Sequence, residues 1–279
     1  MPKLSIITVN LNDKKGLEKT IKSVVEQSFT DYEFIIIDGG STDGSINIIK
    51  KYSKYISYWI SEPDKGIYNA MNKGIAKATG TYFHFLNSGD WLAENSVYKT
   101  IFTREHSNLI IYGNYNRIKN MKVNYYKYPA KLTNHWFYNG TLCHQSVIIH
   151  NSVFKEVRFD ENYKLVSDWI LLFNLFVNRN VKFKYVDIII CNYSDDGISS
   201  KKGNQLKLEK ERTKYIETEF LPNEFNTDYK RLIQTLNLLN YKNTLFTLDN
   251  NQYLPVNGFL KLCIEFIYKV NKNLRKFWN

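Results

Sequence analysis

Apolar positions in the first hundred residues fall into blocks of two alternating kinds. The run KLSIITV (3–9) is short, β-branched and almost wholly apolar, the pattern of a strand buried on both faces. Leu17, Ile21, Val24 and Val25 then recur at helical spacing. YEFIIID (32–38) repeats the strand pattern, and GSINIIKKYSKY (44–55) predicts a second helix opened by Ser41-Thr42-Asp43. ISYWIS (56–61) predicts a third strand. In GIYNAMNKGIAKA (66–78), Ile67, Ala70, Met71, Gly74, Ile75 and Ala78 share one stripe of a third helix. TYFHFL (81–86) predicts a fourth strand. Strands separated by helices at this spacing predict an α/β fold, a Rossmann-like, mostly parallel sheet with helices on both faces.

In such sheets ligands bind outside the carboxyl ends of the strands, so the strand tips come first. The four tips read Thr8-Val9-Asn10-Leu11-Asn12, Asp38-Gly39-Gly40-Ser41-Thr42-Asp43-Gly44, Glu62-Pro63-Asp64-Lys65-Gly66 and Asn87-Ser88-Gly89-Asp90. Any one of these aspartates suits a turn or a helix cap, Asp43 before Ser45 in particular. Several carboxylates on one edge repel each other unless a cation or a donor-rich ligand lies among them. No tip has the glycine–lysine spacing of a phosphate-binding loop. No Gly-x-Gly-x-x-Gly follows the first strand, which disfavours a dinucleotide dehydrogenase.

Composition narrows the setting. The 279 residues contain three cysteines (Cys143, Cys191, Cys263) with no Cys-x-x-Cys pair, which argues against a zinc site or disulfide framework and for a reducing cytosol. No basic-then-apolar leader and no apolar run near 18 residues is present, so a cytoplasmic protein is expected. Net charge is +11, and the surplus rises from +1 over residues 1–100, through +4 over 101–200, to +6 over 201–279. The motif-bearing half is nearly neutral, so nucleic acid is not the expected partner.

Five stretches, in order and spacing, resemble the family 2 nucleotide-sugar glycosyltransferases of the GT-A fold. They are LSIITVNLN, SVVEQSFTDYEFIIIDGGSTDGS, EPDKGIYNAMNKGIAKATGTYFHFLNSGD, CHQSVI and FDENYKLVSDWILLFNL. The likeness spans roughly residues 1–200 and is greatest to bacterial enzymes of surface polysaccharide and lipopolysaccharide synthesis. It implies inverting transfer of a hexose or N-acetylhexosamine from a nucleotide-diphospho-sugar, UDP-linked before GDP-linked, to a glycan or lipid-linked acceptor. It implies a GT-A catalytic domain over 1–200, with a nucleotide-sugar half (1–112) and an acceptor half (113–200). Residues 201–279 are expected to form a basic helical extension.

The resemblance also assigns residues. Thr8, Asn10 and Asp38 are expected near the base, and Asp64 on the base or ribose side of the same pocket. A carboxylate at 38 accepts the ring N–H of uracil or two N–H groups of guanine, so residue type leaves UDP and GDP open. At the fourth tip the family carries an Asp-x-Asp-Asp-like turn. Here only its last carboxylate remains, making Asp90 the expected Mn²⁺ or Mg²⁺ contact, with Asn87 and Ser88 beside the donor. Asp168 is the expected general base, and Ser167 replaces the first acid of the family's acidic pair. His144, in the His144-Gln145 pair, is a candidate for the phosphates or the acceptor. Asp195, opening Asp195-Asp196-Gly197-Ile198-Ser199-Ser200, is a candidate in a mobile loop closing over the ligands.

Beyond residue 200, helices are expected over 206–220 and 229–246. A last one follows, with Phe259, Leu262, Cys263, Phe266, Ile267, Val270, Leu274 and Phe277 on one stripe and lysines and Arg275 mostly off it. That stripe suits either a membrane interface at the inner face of the cell membrane or packing against protein. The competing readings are a sugar-nucleotide nucleotidylyltransferase, for which TVNLNDKKGLEKT has too little glycine, and a non-catalytic nucleotide-sugar or nucleic-acid binding protein.

Overall fold

A computed structural model describes residues 1–104, 108–195, 197 and 203–220. Residues 1–212 form one compact unit and 213–279 a second. The helices expected over 229–246 and 259–277 lie outside the described residues.

The first unit is built on a nine-stranded sheet of order β3-β2-β1-β4-β8-β6-β9-β5, with β7 paired to β6. Strands β1 (Leu4–Asn10), β2 (Tyr32–Asp38), β3 (Tyr58–Ser61) and β4 (Tyr82–Phe85) are parallel, as the alternating pattern predicted. β8 (Val147–His150) runs antiparallel to β4 and β6 (Ile110–Lys119). β9 (Phe183–Ser194) is parallel to β6. β5 (Trp91–Leu92) and β7 (Lys122–Tyr126) are antiparallel to β9 and β6.

Helices cover both faces because side chains alternate across a strand. Leu4, Ile6, Phe34 and Ile36 meet α1 (Lys14–Val25), α2 (Ser45–Lys51) and α4 (Val97–Phe102) in one buried cluster. Ile7 and Ile37 face α3 (Ile67–Lys77), which packs so closely that a methyl on Gly74 would lie 2.4 Å from Ile7 Cγ2. Phe83 stacks on Phe154 of α6 (Val153–Glu156) on that side.

Some bounds differ from the sequence expectation. The second helix stops at Lys51 and passes into a single 3₁₀ turn, Ser53–Tyr55. The apolar run after Asp168 forms α7 (Ser167–Phe173) and widens into a π-helical turn, Asn174–Asn178. The helix expected over 206–220 is α8 (Asn204–Tyr215) followed by a π turn. Residues 115–140 contain the end of β6, all of β7, and α5 (Asn134–Asn139).

Candidate active site

The carboxyl ends of β1, β2, β3 and β4 lie side by side, with Asn10 opposite Asp38 and Asp38 opposite Ser61 in register. Asp38 is fully buried and accepts five hydrogen bonds. Asn10 Nδ2 and Ser41 Oγ donate to Oδ1, both at 2.6 Å. Ser61 Oγ (2.6 Å) and the amides of Ser41 (2.9 Å) and Gly40 (3.2 Å) donate to Oδ2. Burial would raise its pKa, but the bonds from Ser41, Ser61 and Asn10 outweigh it and hold the carboxyl below its ordinary value. A carboxylate has about four lone-pair sites, so Asp38 offers no vacant acceptor. It ties three strand tips together, and a base N–H would have to displace a serine hydroxyl to reach it.

The vacant acceptor lies next to it. Asn10 is 4% exposed, and its Oδ1 has no hydrogen-bond partner. Thr8, on the same strand face, donates its hydroxyl to the carbonyl of Leu86 at 2.6 Å and thereby joins β1 to the end of β4. Asp64 accepts from the Gly66 amide at 2.8 Å, a local turn. Its other oxygen lies over Gly39, where an added Cβ would come within 2.5 Å. Glycine at 39 thus lets Asp64 approach the Asp38 tip. Asp43 accepts from the amides of Ser45 (3.0 Å) and Lys14 (2.7 Å), so it ties together the first residues of α2 and α1.

The fourth tip is a tight turn closed by Asp90 N–H to the Asn87 carbonyl at 3.0 Å, with Gly89 at a φ of 94° that favours glycine. Ser88 Oγ donates to Asp13 Oδ2 at 2.9 Å. Asp13 also caps α1 through the Gly16 amide. The Asp90 carboxylate points inward, accepting from Gln145 Nε2 at 2.7 Å and from the Ser194 amide at 2.8 Å. Burial pushes its pKa up to about 7 against those two hydrogen bonds. Lys19 Nζ stands over the ring of the adjacent Trp91.

The residue type and environment of Asp90 fit a divalent cation that arrives with a ligand. Among the described residues no group of three or more His, Cys, Asp or Glu could hold a metal. Asp90 nevertheless retains lone pairs beyond its two protein bonds, and its burial leaves the carboxylate poorly solvated. One carboxylate suffices when phosphate oxygens and water complete the shell.

Asp168 opens α7 and is brought to this tip through two intermediaries. His144 Nδ1 lies 2.6 Å from Asp168 Oδ2, and His144 Nε2 lies 3.0 Å from Asn87 Nδ2. That pairing sets the tautomer, with the Nδ1 proton toward Asp168 and Nε2 accepting. Asn87 is 9% exposed, and its Oδ1, like that of Asn10, has no partner. Asp168 Oδ1 accepts from the Tyr68 hydroxyl at 2.8 Å and its neighbour's amide, Trp169 N–H, at 2.9 Å. Burial opposes ionisation, but the hydrogen bond and field of His144 and the bonds from Tyr68 and Trp169 prevail, holding this carboxyl below its ordinary value. Asp168 therefore joins α7 to α3 directly and to the fourth tip through His144, while Val166 holds the N-cap position of α7.

Asp195 takes a different place from the expected one. It sits at the end of β9 with its side chain 3% exposed, bound by Arg117 and by Lys119 at 3.1 Å. Its carboxylate holds β6 to β9, and much of the loop expected to close over the ligands lies outside the described residues. Tyr68, Asp13 and Arg212 were not singled out in the sequence. Arg212 stacks 4.5 Å from the Trp169 ring and has a buried Nε without a partner. Burial lowers its pKa to about 10, against the pull of Asp168.

Comparison with known proteins bears on the family and the fold. The model of the family described as Glycosyl transferase family 2 matches residues 5–164. A PGL/p-HBAD biosynthesis glycosyltransferase of Mycobacterium tuberculosis is 26% identical over 203 residues, covering 70% of this chain and 78% of the relative. An uncharacterized glycosyltransferase of Haemophilus influenzae is 35% identical over 119 residues, covering 41% and 48%. Among solved structures, S. aureus TarS 1–349 in complex with UDP-GlcNAc superposes with a TM-score of 0.62 at 18% identity, covering 80% of this chain and 67% of that one. The mannosyltransferase PcManGT from Pyrobaculum calidifontis, in complex with GDP-Man and Mn²⁺, superposes at 0.59 with 13% identity, covering 95% and 80%. The expected GT-A fold is the fold observed.

Proposed function

The chain belongs to glycosyl transferase family 2, and on that premise we propose that it moves a hexose or N-acetylhexosamine from a UDP-sugar to an acceptor hydroxyl, with inversion. The observation that carries this reading is the chain Asp168–His144–Asn87, which brings a carboxylate from the second half of the domain to the tip of β4. A TarS structure holds UDP-GlcNAc and PcManGT holds GDP-Man with Mn²⁺ on the same fold, which supports a nucleotide-sugar at these strand tips.

The proposed roles follow from the free valences. The nucleotide lies over β1 and β2, where Asn10 Oδ1 is the acceptor in want of an N–H or O–H donor. Asp38 positions Asn10 and Ser41, and Asp64 borders the same pocket. Asn87 Oδ1, also unpartnered, receives a donor hydroxyl such as a ribose O–H. Asp90 is the residue that would hold Mn²⁺ or Mg²⁺ with the diphosphate. The cation, when bound, offsets charge developing on the leaving diphosphate.

Asp168 is the proposed base. Oδ1 already accepts two hydrogen bonds, whereas Oδ2 accepts only that of His144, so the vacant lone pair is on Oδ2. As the acceptor oxygen bonds to the anomeric carbon and the sugar–phosphate bond breaks, the hydroxyl proton passes to Oδ2. His144 keeps that oxygen oriented. A glycan or lipid-linked acceptor and a role in cell-surface polysaccharide synthesis belong to the same proposal. So do the 1–200 catalytic boundary and work at the cytoplasmic face of the membrane. The experiment is Asp168→Asn assayed for UDP affinity and for transfer from UDP-sugars. The expected result is unchanged affinity with transfer reduced by at least about a hundredfold. Normal transfer by that variant would remove Asp168 from the mechanism.

A further inference from the structure

The hairpin formed by β6 and β7 carries an apolar tip for which the active site gives no explanation. Its register pairs Ile118 with Val123 and Lys119 with Lys122, leaving Asn120 and Met121 as a two-residue turn at φ 48° and 61°. Two positive φ angles give the tight turn whose twist matches the flanking strands. Asparagine tolerates that conformation, but methionine has no local reason to adopt it. Met121 is nevertheless 96% exposed, with Val123 62% and Tyr125 52% exposed beside it on the following strand.

The charge around this tip has one sign. Residues 117–127 contain Arg117, Lys119, Lys122 and Lys127 and no acidic residue. Asp195 pairs with Arg117 and Lys119, and Asp187 pairs with Lys127. Lys122 has no ion pair among the described residues, and four cations against two carboxylates leave a surplus of two. An exposed methionine, valine and tyrosine beside the unpaired Lys122, on a hairpin with a surplus of positive charge, is the chemistry that enters a headgroup layer, apolar side chains inward and ammonium groups at the phosphates. A protein partner fits less well, because a turn and one short strand present far less than the roughly 800 Å² per side that a stable interface buries.

The hairpin also stands beside the site. Ile118 pairs with Ser194, whose amide donates to Asp90 Oδ1 at 2.8 Å. Met121 is three residues further along, on the order of 10 Å at about 3.3 Å per residue. We propose that the β6–β7 hairpin is a membrane-docking prong that inserts Met121 and Val123 into an anionic lipid surface. Docking there sets the strand supporting the Asp90 turn next to the bilayer. The inference needs no turnover, so it stands apart from the choice of donor and base.

The test is flotation of the full chain with vesicles of phosphatidylcholine, with and without phosphatidylglycerol. The wild-type protein is expected to float with the anionic vesicles, less so as salt rises. Met121→Asp combined with Val123→Glu should lower partitioning at least about tenfold, since it removes two apolar anchors and adds two negative charges. Both positions are exposed, and aspartate tolerates a left-handed φ, so folding is retained and is checked by circular dichroism. Lys122→Glu should weaken binding several-fold. All variants share the C-terminal segment, so a difference among them belongs to the hairpin. Unchanged partitioning of the folded double variant would overturn the proposal. A change only in molecular mass by light scattering would overturn it too, by making the tip a contact between copies of the chain.

Discussion

Replacing Asp90 by asparagine should stabilise the metal-free protein while removing metal-dependent nucleotide binding. The carboxyl titrates near 3.8 when free, and burial pushes it to about 7 in the fold. At about 1.4 kcal/mol per factor of ten, ionised Asp90 at pH 8 costs the native state on the order of 4 kcal/mol. Asparagine removes the charge and keeps an oxygen for the Ser194 amide, but turns an NH₂ toward Gln145 Nε2. Gln145 would have to turn its amide in response, so the net gain is smaller, about 1–3 kcal/mol. For a domain of this size that is about 2–4 °C in Tm per kcal/mol. The sign depends on pH. A raised folded-state pKa contributes stability in full below about 3.8 and loses it as pH rises through about 7. The advantage of Asp90→Asn should therefore be large at pH 8 in EDTA and shrink toward pH 5. Urea unfolding at both pH values measures it. A variant less stable than wild type at pH 8 would refute the claim that burial disfavours the charge on this carboxylate in the free protein.

Two further substitutions probe the neighbours of the proposed base and the pocket wall. Tyr68→Phe removes a bond to the Asp168 carboxylate worth about 1.5–3 kcal/mol. The Asp168 pKa is depressed in the fold, so losing the bond moves it up, and the acid limb of kcat/KM should shift to higher pH; an unmoved limb would assign Tyr68 to packing alone. Gly39→Ala places a methyl 2.5 Å from Asp64 Oδ2 and must displace that side chain. UDP affinity should fall several-fold with little effect on the transfer rate at saturation, and titration calorimetry together with steady-state kinetics separates the two.

Much of the first hundred residues was legible because parallel strands buried on both faces leave long apolar runs that end at polar tips. IIIDGG and FHFLNSGD state the strand, its end and the turn in a few letters. What the letters withhold is which polar groups are already satisfied. Asp38 reads as a free acceptor and is saturated, whereas Asn10 next to it has the vacancy. Tyr68 lies 100 positions from Asp168, so their hydrogen bond has no local signature. The second half reads poorly for a different reason. β6 continues into the polar sequence NYNRIK, its pairing with β9 shifts register near Gly113 and Asn114, and its hairpin turns on Asn120-Met121 without a glycine. Asp195 likewise resembles a loop carboxylate until Arg117 and Lys119 are brought to it by the sheet.

On the proposed reading, these strand tips bind a nucleoside diphosphate with a cation held by Asp90. Calorimetric titration of UDP and GDP in Mn²⁺ and again in EDTA, repeated on Asp90→Ala, tests it most directly. UDP binding that requires both Mn²⁺ and Asp90, and exceeds that of GDP, is the predicted result. Absence of nucleotide binding under every condition would leave the fold in place without a donor site.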